Sequence, residues 1–254
     1  MTHSKPHFRV ALATTQDDFI AAQQLRYDVF VDELGGAGPM VDHEARLERD
    51  EFDPYFDHLL LFDDARTSGN PVVGVYRLLA DHKERDLGRF YSEDEFDLTP
   101  LRRSGRKLLE LGRSCVHADY RGGSAMMHLW QGLADYVARH EIEILFGVAS
   151  FHGTDIADIA PALSLLHHKH RATQSLRPHA IGADAIDMNL LPYESIDRKS
   201  AMLKVPALIK AYLRLGGMVG QGAFVDHAFN TTDVCLVLDM AQMNEKQRQI
   251  YDRA

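Results

Sequence analysis

The chain is poor in cysteine, with only Cys115 and Cys235, each set among strand-like residues. Two such thiols make no disulfide framework, and the expectation is that both are buried and reduced. Long apolar runs are also missing, since none approaches the roughly 18 residues of a membrane-spanning helix. The opening stretch "MTHSKPHFRV" lacks the apolar core of a secretory signal, which points to the cytoplasm. Nor is there a basic excess. Lys and Arg number 28 against 37 Asp and Glu, a formal charge of −9 that argues against a broad nucleic-acid-binding face. Internal repeats, low-complexity tracts, a Walker-type lysine and a GxGxxG fingerprint are all absent. What is present is an ordinary globular balance, 45% hydrophobic and 26% charged over 254 residues, enough for one large domain or two small ones.

Periodicity orders these residues into an α/β pattern. Residues 8–14 alternate like a strand, and Thr15 with Asp17 and Asp18 starts a helix that carries Phe19, Leu25, Val29 and Phe30 until glycines 35, 36 and 38 stop it. "HLLLFDD" and "VVGVYRLL" read as a hairpin joined by "ARTSGNP". Residues 81–100 read as irregular and charged. "LLELGRSCV" is the next strand, and Met126, Trp130, Leu133 and Val137 then recur at helical spacing. The buried strand "EILFGVASF" completes a strand–helix–strand crossover. From 155 to 215 the pattern is mostly helical, interrupted by Pro161, Pro178, Pro192 and Pro206. "FNTTDVCLVLDM" is a last strand, followed by a short polar helix. The simplest organisation is a single α/β domain with its core at about 8–152 and a C-terminal elaboration at about 153–254.

The stretch "LLELGRSCVHADYRGG" concentrates the chemistry. Glu110 and Arg113 interrupt an apolar strand, and on a regular strand residues three apart face opposite ways. A bulge at Gly112 would re-aim them and splay the strand from its neighbour, opening a cleft. Desolvating an ion pair costs several kcal/mol, so stability alone is a weak reason for one; a functional pair and a register-fixing pair both remain open. Arg121, Gly122, Gly123 and Ser124 lie before a helix, where free N–H groups and the helix dipole favour an anion.

This order of hairpin, glutamate-bearing strand, glycine turn, helix and strand resembles the GNAT superfamily of N-acyltransferases over about residues 8–152. The resemblance implies a mixed, splayed central sheet flanked by helices, with a helical C-terminal elaboration. The splayed strands would hold a pantetheine arm, and the 121–124 turn would bind its phosphates. Arg26 and Phe30 in "LRYDVFVDEL", Asp50 and Asp53 in "RDEFDPYFDH", Arg77 in "GVYRLL", and Glu110 with Arg113 are similar to one branch of the superfamily. That branch holds the acyl-homoserine-lactone synthases and the ornithine-lipid N-acyltransferases, which take acyl groups from acyl carrier protein. The lactone synthases carry a tryptophan shortly after the first helix. Here the only tryptophan is Trp130, and Leu34-Gly35-Gly36 occupies that zone. "YFDHLLLFD", "LWQGLADY" and "GGMVGQGAFVDHAFNTTDVCLVL" resemble the ornithine-lipid enzymes over nearly the full length.

The implied reaction moves a 3-hydroxyacyl group from the carrier's phosphopantetheine to the α-amine of ornithine, giving a lyso-ornithine lipid, with no permanently bound cofactor and no metal. Glu110 would take the amine's proton and Arg113 would hold Glu110. Backbone N–H groups around Val116 and His117 would steady the oxyanion, and Arg121, Gly122, Gly123 and Ser124 would receive the donor. Arg26, Phe30, Asp50, Asp53 and Arg77 would shape the amino-acid pocket, although a salt-bridge network closing the N-terminal loop reads equally well. Arg102, Arg103, Arg106 and Lys107 form a docking face for an acidic carrier. "VPALIKAYLRLGG" is either core or a peripheral membrane contact. The open alternatives are another acceptor such as glutamine, lactone synthesis, and a non-catalytic carrier-binding module. His58 and Asp63 match an H-x4-D acyltransferase signature but face apart on a strand. His167, His168 and His170 are read as surface residues, and Cys115 as a small buried hydrophobe.

Overall fold

Thr15 sets the first helix boundary. Its hydroxyl accepts from the Asp18 amide while the Asp18 carboxylate accepts from the Thr15 amide, a reciprocal cap that satisfies two orphan donors. In the computed structural model, which describes residues 5–244 and 246, the elements run as follows. They are β1 (Phe8–Leu12), α1 (Gln16–Arg26), a π-helical turn (Tyr27–Glu33), β2 (Asp57–Asp63), β3 (Val72–Ala80), α2 (Asp81–Leu87), β4 (Phe96–Asp97), α3 (Thr99–Arg103) and β5 (Leu108–Val116). There follow α4 (Ala125–His140), β6 (Ile144–His152), α5 (Ile156–Lys169), β7 (His179–Ala180), β8 (Ala185–Ile186), α6 (Arg198–Lys204), α7 (Ala207–Arg214), β9 (Met218–Val219), β10 (Ala223–Asp226) and β11 (Thr231–Asp239). The chain folds as two compact units. Among the described residues one takes those up to Leu87 with Leu111–Glu141, and the other takes Gly88–Glu110 with those from Ile142 to 246, so β5 passes from one to the other after Glu110.

In the first unit β1, β2 and β3 are antiparallel, Leu60 lying opposite both Ala11 and Val75, and the far half of β5 continues the order beside β3. The 57–80 hairpin and the glycine stop are as anticipated: Gly35 takes a φ of 73° and ends the π-helical turn. Helix α4 buries Leu129, Leu133, Tyr136 and Val137 against β1–β3. Gly132 permits that approach, because a Cβ there would stand 2.5 Å from Val10 Cγ1. Ala22, Leu25, Val29, Leu60, Val72, Val75 and Cys115 form a core beneath α1.

In the second unit the first residues of β5 pair in parallel with β6, Leu108 with Ile144 and Glu110 with Phe146. Strand β6 is antiparallel to β11 along its whole length, from His152–Thr231 to Ile144–Asp239. β10 and then β8 extend the sheet, while β9 pairs with β11 and β4 with β7. Several expectations are corrected. The 81–100 stretch is not irregular, since α2, a 3-10 turn at Tyr91–Asp94, β4 and the start of α3 occupy it. Pro161 does not break its helix but lies inside α5. Two short strands, β7 and β8, divide the supposedly helical 155–215 region. The final polar helix falls largely outside the described residues, beyond a 3-10 turn at Met240–Gln242. Among the described residues no helix is long and apolar enough to cross a membrane.

Candidate active site

Glu110 stands where β5 lies beside Phe146 of β6, and it is 1% exposed. Its Oε1 accepts from the Ser92 amide at 2.7 Å and the Ser92 hydroxyl at 2.6 Å, and its Oε2 accepts from the Tyr91 amide at 2.9 Å. The two amides open the Tyr91–Asp94 turn, where first-turn N–H groups lack helical partners and are free to bind an anion. Phe90 precedes that turn and meets Phe146 edge to face at 5.0 Å, while the Arg102 guanidinium lies over the Phe90 ring at 4.8 Å. A buried carboxylate is thus fixed by both oxygens in an aromatic frame.

Residue 113 carries the irregularity in β5. The distortion anticipated at Gly112 falls on Arg113, whose φ is +48°. Gly112 has no positive φ, and a Cβ there would meet its nearest neighbours, Arg77 and Phe56, at an ordinary 3.9 Å. A left-handed non-glycine residue costs roughly 1–3 kcal/mol and persists only where its surroundings enforce it. Arg113 Nε donates to Glu48 Oε1 at 3.2 Å and its Nη2 to Asp50 Oδ2 at 3.4 Å.

Those carboxylates belong to a larger buried network in the first unit. Arg26, fully buried, donates through Nε to Glu48 and through Nη1 to Asp53 Oδ1 at 2.6 Å. Arg77, also buried, donates through Nη1 to Asp50 and Asp53, both at 2.7 Å. For Arg26, Glu48, Asp50 and Asp53 burial opposes the charge, yet the opposite charges prevail. Arg26 is held above its ordinary value by Glu48 and Asp53, Asp50 well below by Arg77 and Arg113, and Glu48 and Asp53 are likewise lowered. Three guanidiniums face three carboxylates, so the group neutralises itself. These ion pairs tie the 34–56 loop to β3 and β5. Phe30 packs against the adjoining core. His58, buried beside Asp53, is pushed down to about 4, chiefly by burial, with Asp53 opposing and Arg26 and Arg77 assisting. Asp63 is occupied elsewhere, accepting from the His7 amide and the Tyr120 hydroxyl, both at 2.8 Å.

At the end of β5 the His117 amide donates to Val73 O at 2.9 Å. That bond corrects the oxyanion expectation for His117, whose N–H is committed to the sheet. Arg121 donates through Nε to Val116 O at 2.9 Å and pairs through Nη2 with Glu33 at 2.8 Å. Gly122 follows at φ +76°, and Gly123 and Ser124 lie exposed before α4, with no side-chain cap from Ser124. Burial pushes the Cys115 thiol up to about 12, which accords with packing rather than nucleophilic attack.

The basic cluster is largely paired. Arg102 grips Glu93 with two bonds of 2.7 and 2.6 Å, and Arg106 donates to Asp239 at 2.6 Å and to the Glu143 carbonyl at 3.2 Å. The Lys107 amide donates to Glu143 Oε2 at 3.0 Å. Arg103 and Arg106 border a cavity of about 1120 Å³ together with Asp97, Ser175, His179 and Asp239. The histidine cluster is less exposed than expected, since His167 and His170 are half-buried and burial lowers both.

The sequence reading missed two sets of groups. Glu48, one of the most buried carboxylates of the network, sits in a stretch that reads as a polar loop. Glu95, Asp226 and Asp233 bring ligand oxygens within 4.8 Å of one another, with Glu95 and Asp233 buried. Cys235 lies near both this triad and Glu110: after burial, Glu110 and Glu95 are what raise its thiol. Asp233 was the readable signal, a carboxylate inside the apolar run "TTDVCLVLD", on the same sheet face as Cys235 and, through the β10 pairing, Asp226.

A family model for the acetyltransferase (GNAT) domain matches residues 25–131. Two solved structures share the fold. TofI aligns with a TM-score of 0.51 at 17% identity, covering 96% of each chain. The CoA-dependent acyl-homoserine lactone synthase BjaI, with SAM and isopentyl-CoA, aligns at 0.51 and 14%, covering 98% of this chain and 89% of its own. Residues 25–131 thus match an acetyltransferase (GNAT) domain, and the fold is shared with these two structures. The L-ornithine N(alpha)-acyltransferase of Rhodobacter capsulatus is 57% identical across 97% of this chain and 95% of its own length. That of Brucella abortus is 41% identical across 95% and 88%. The chain belongs to this family of L-ornithine N(alpha)-acyltransferases.

Proposed function

We propose that this enzyme transfers a 3-hydroxyacyl group from acyl carrier protein to the α-amine of ornithine, releasing a lyso-ornithine lipid. The observation that carries the reading is the near-full-length identity with relatives of that name. The geometry around Glu110 fits it. An α-ammonium must lose a proton before attack, and a carboxylate fixed through both oxygens is an oriented acceptor, directly or through water. The freed amine forms the C–N bond at the thioester carbon, the C–S bond breaks, and the carrier thiol departs with a proton. Ornithine carries a second ammonium, and the Glu95–Asp226–Asp233 carboxylates suit a cationic acceptor. Arg113 is assigned to holding the strand end in place through the Arg26–Glu48–Asp50–Asp53–Arg77 network, which closes the 34–56 loop, and Phe30 to the core that adjoins it. The Val116 amide remains the candidate oxyanion donor. Arg121, Gly122, Gly123 and Ser124 would receive the donor's phosphate, Arg121 exchanging Glu33 for it. Arg102, Arg103, Arg106 and Lys107 would meet the carrier, with Arg102 and Arg106 trading internal partners for its carboxylates.

The test is incubation with acyl carrier protein loaded with a 3-hydroxyacyl chain and a panel of free amino acids, followed by mass spectrometry of the lipid extract. An ornithine amide is the expected product. An amide of glutamine or another amino acid alone, a lactone alone, or no product would overturn the assignment.

A further inference from the structure

Three successive amides at the start of the Tyr91–Asp94 turn are each taken by a carboxylate. The Phe90 amide donates to Glu93 Oε2 at 2.8 Å, and the Tyr91 and Ser92 amides donate to Glu110. The turn has bonds of its own: the Glu93 amide reaches Phe90 O and the Glu95 amide reaches Ser92 O, both at 3.2 Å, while Arg102 grips Glu93. The donors therefore stand on a braced frame. Ser92 adds a side-chain donor to the two amides, its hydroxyl lying 2.6 Å from Glu110 Oε1, the short separation of a charge-assisted bond. The residue is completely buried, so no water competes for that bond. Its hydroxyl and its amide together fill the two lone pairs of Oε1 and fix the carboxylate's rotation. The surroundings pull the other way. Burial disfavours a charged Glu110, and Cys235 of β11 feels both Glu110 and Glu95, which places Glu95 with Asp226 and Asp233 as further negative charge in this region. Low dielectric and like charges both favour the neutral acid, which cannot accept a proton, whereas donors to the carboxylate favour the ionised base.

We propose that Ser92 is a positioning residue for the acyl transfer, its hydroxyl holding Glu110 ionised and in one orientation to receive the amine proton. This rests on the reading of Glu110 as the proton acceptor. In that step an N–H bond of the α-ammonium breaks, an O–H bond forms on Glu110, and the freed electron pair attacks the thioester carbon. The C–S electrons leave with the thiol, which takes the proton back and returns Glu110 to the carboxylate that Ser92 holds. Ser92 touches neither substrate in this scheme and acts wholly through Glu110. The Tyr91 and Ser92 amides cannot be removed by changing a side chain, so the hydroxyl is the member of the trio open to a clean test.

The test is kcat and kcat/KM for ornithine against pH in the full-length Ser92→Ala, Ser92→Cys and Glu110→Gln variants and in Ser92→Ala/Glu110→Gln, with 3-hydroxyacyl-loaded carrier protein as donor. Ser92→Ala should lower kcat about tenfold, leave KM for ornithine within about twofold, and move the acid limb of kcat/KM upward by roughly one pH unit. Ser92→Cys keeps the size with a weaker donor and should fall between wild type and alanine. Circular dichroism melts check folding, and the cysteine variant carries the test if the alanine variant does not fold. In the Glu110→Gln background the Ser92→Ala change should alter the residual rate by less than about twofold, because the group it acts through is gone. An unmoved acid limb and full kcat in the folded Ser92 variants, or the same tenfold loss repeated in the Glu110→Gln background, would overturn the proposal. Wild-type behaviour of Ser92→Ala beside a crippled Glu110→Gln removes Ser92 alone, whereas full turnover in Glu110→Gln removes the base and the role of Ser92 with it.

Discussion

Replacing Asp53 by Asn separates a closing network from a substrate pocket. Asp53 Oδ1 accepts from Arg26 Nη1 at 2.6 Å and Arg77 Nη1 at 2.7 Å, and its Oδ2 accepts from Gln23 Nε2 at 2.9 Å. The substitution keeps the volume and leaves three guanidiniums facing two carboxylates. Removing one partner from a buried ion-pair group costs roughly 3–5 kcal/mol, because the remaining charge stays desolvated. For a protein of this size each kcal/mol moves the midpoint by roughly 2–4 °C, so the melting temperature should fall by roughly 6–20 °C. The pH sign is fixed by the depressed carboxyls Glu48, Asp50 and Asp53. Their stabilisation is fully present above the unfolded value near ~4 and disappears as pH falls through the lower folded values. Thermal melts from pH 7 to pH 3 should therefore begin to converge for wild type and variant only below about pH 4, the unfolded carboxyl value, while KM for the acceptor in folded enzyme stays within about twofold. A variant that melts with the wild type but shows a KM raised tenfold or more would refute the closing-network reasoning.

Further outcomes are expected. Glu110→Gln should lower kcat by roughly 10²–10⁴-fold and also lower the melting temperature, because its amide NH2 must face an N–H donor, and a folded variant retaining full turnover would remove Glu110 from the chemistry. His58 has a folded value of about 4, below the ~6.5 of an unfolded histidine, so the unfolded chain takes up the proton first. Stability should then be full above about pH 6.5 and fall by up to about 3 kcal/mol on the way to pH 4, and denaturant titrations of His58→Leu should lack that component. Gly132→Ala places a methyl 2.5 Å from Val10, and urea unfolding should register a loss of roughly 1–3 kcal/mol. Cys115 and Cys235, both buried with raised pKa values, should resist iodoacetamide at pH 8 until denaturant is added.

The elements that could be read from the chain were those with strong periodicity or capping chemistry. The Thr15–Asp18 box and the 57–80 hairpin each carry a local cause and appear where that cause puts them, and the helix expected from the Met126–Val137 spacing is present but turned, with Leu129, Leu133, Tyr136 and Val137 buried and Met126 and Trp130 only partly so. The 81–100 stretch was opaque because its elements are short and held by tertiary contacts: β4 exists only through its pairing with β7. The candidate site divides along the same line. Glu110 announced itself as a charge inside an apolar strand, whereas the Ser92 and Tyr91 donors that grip it are main-chain groups without a sequence signature. Glu95 and Asp226 meet Asp233 only through sheet pairing and loop placement, which no local window reports. His117 was misjudged because register decides which amides of a strand end are spent, and register is set by the partner strand.

The order in which the closing network's charges leave the ribosome also matters. A nascent chain of about sixty residues would hold Arg26 with Glu48, Asp50 and Asp53, an acidic excess with no reason to collapse, and neutrality waits for Arg77 and then Arg113. The segment between the first helix and the hairpin should therefore settle late in synthesis, only after the strand that presents Glu110 has emerged. Stalled chains ending before and after residue 113, compared by limited proteolysis at 34–56, would show protection appearing only in the longer one.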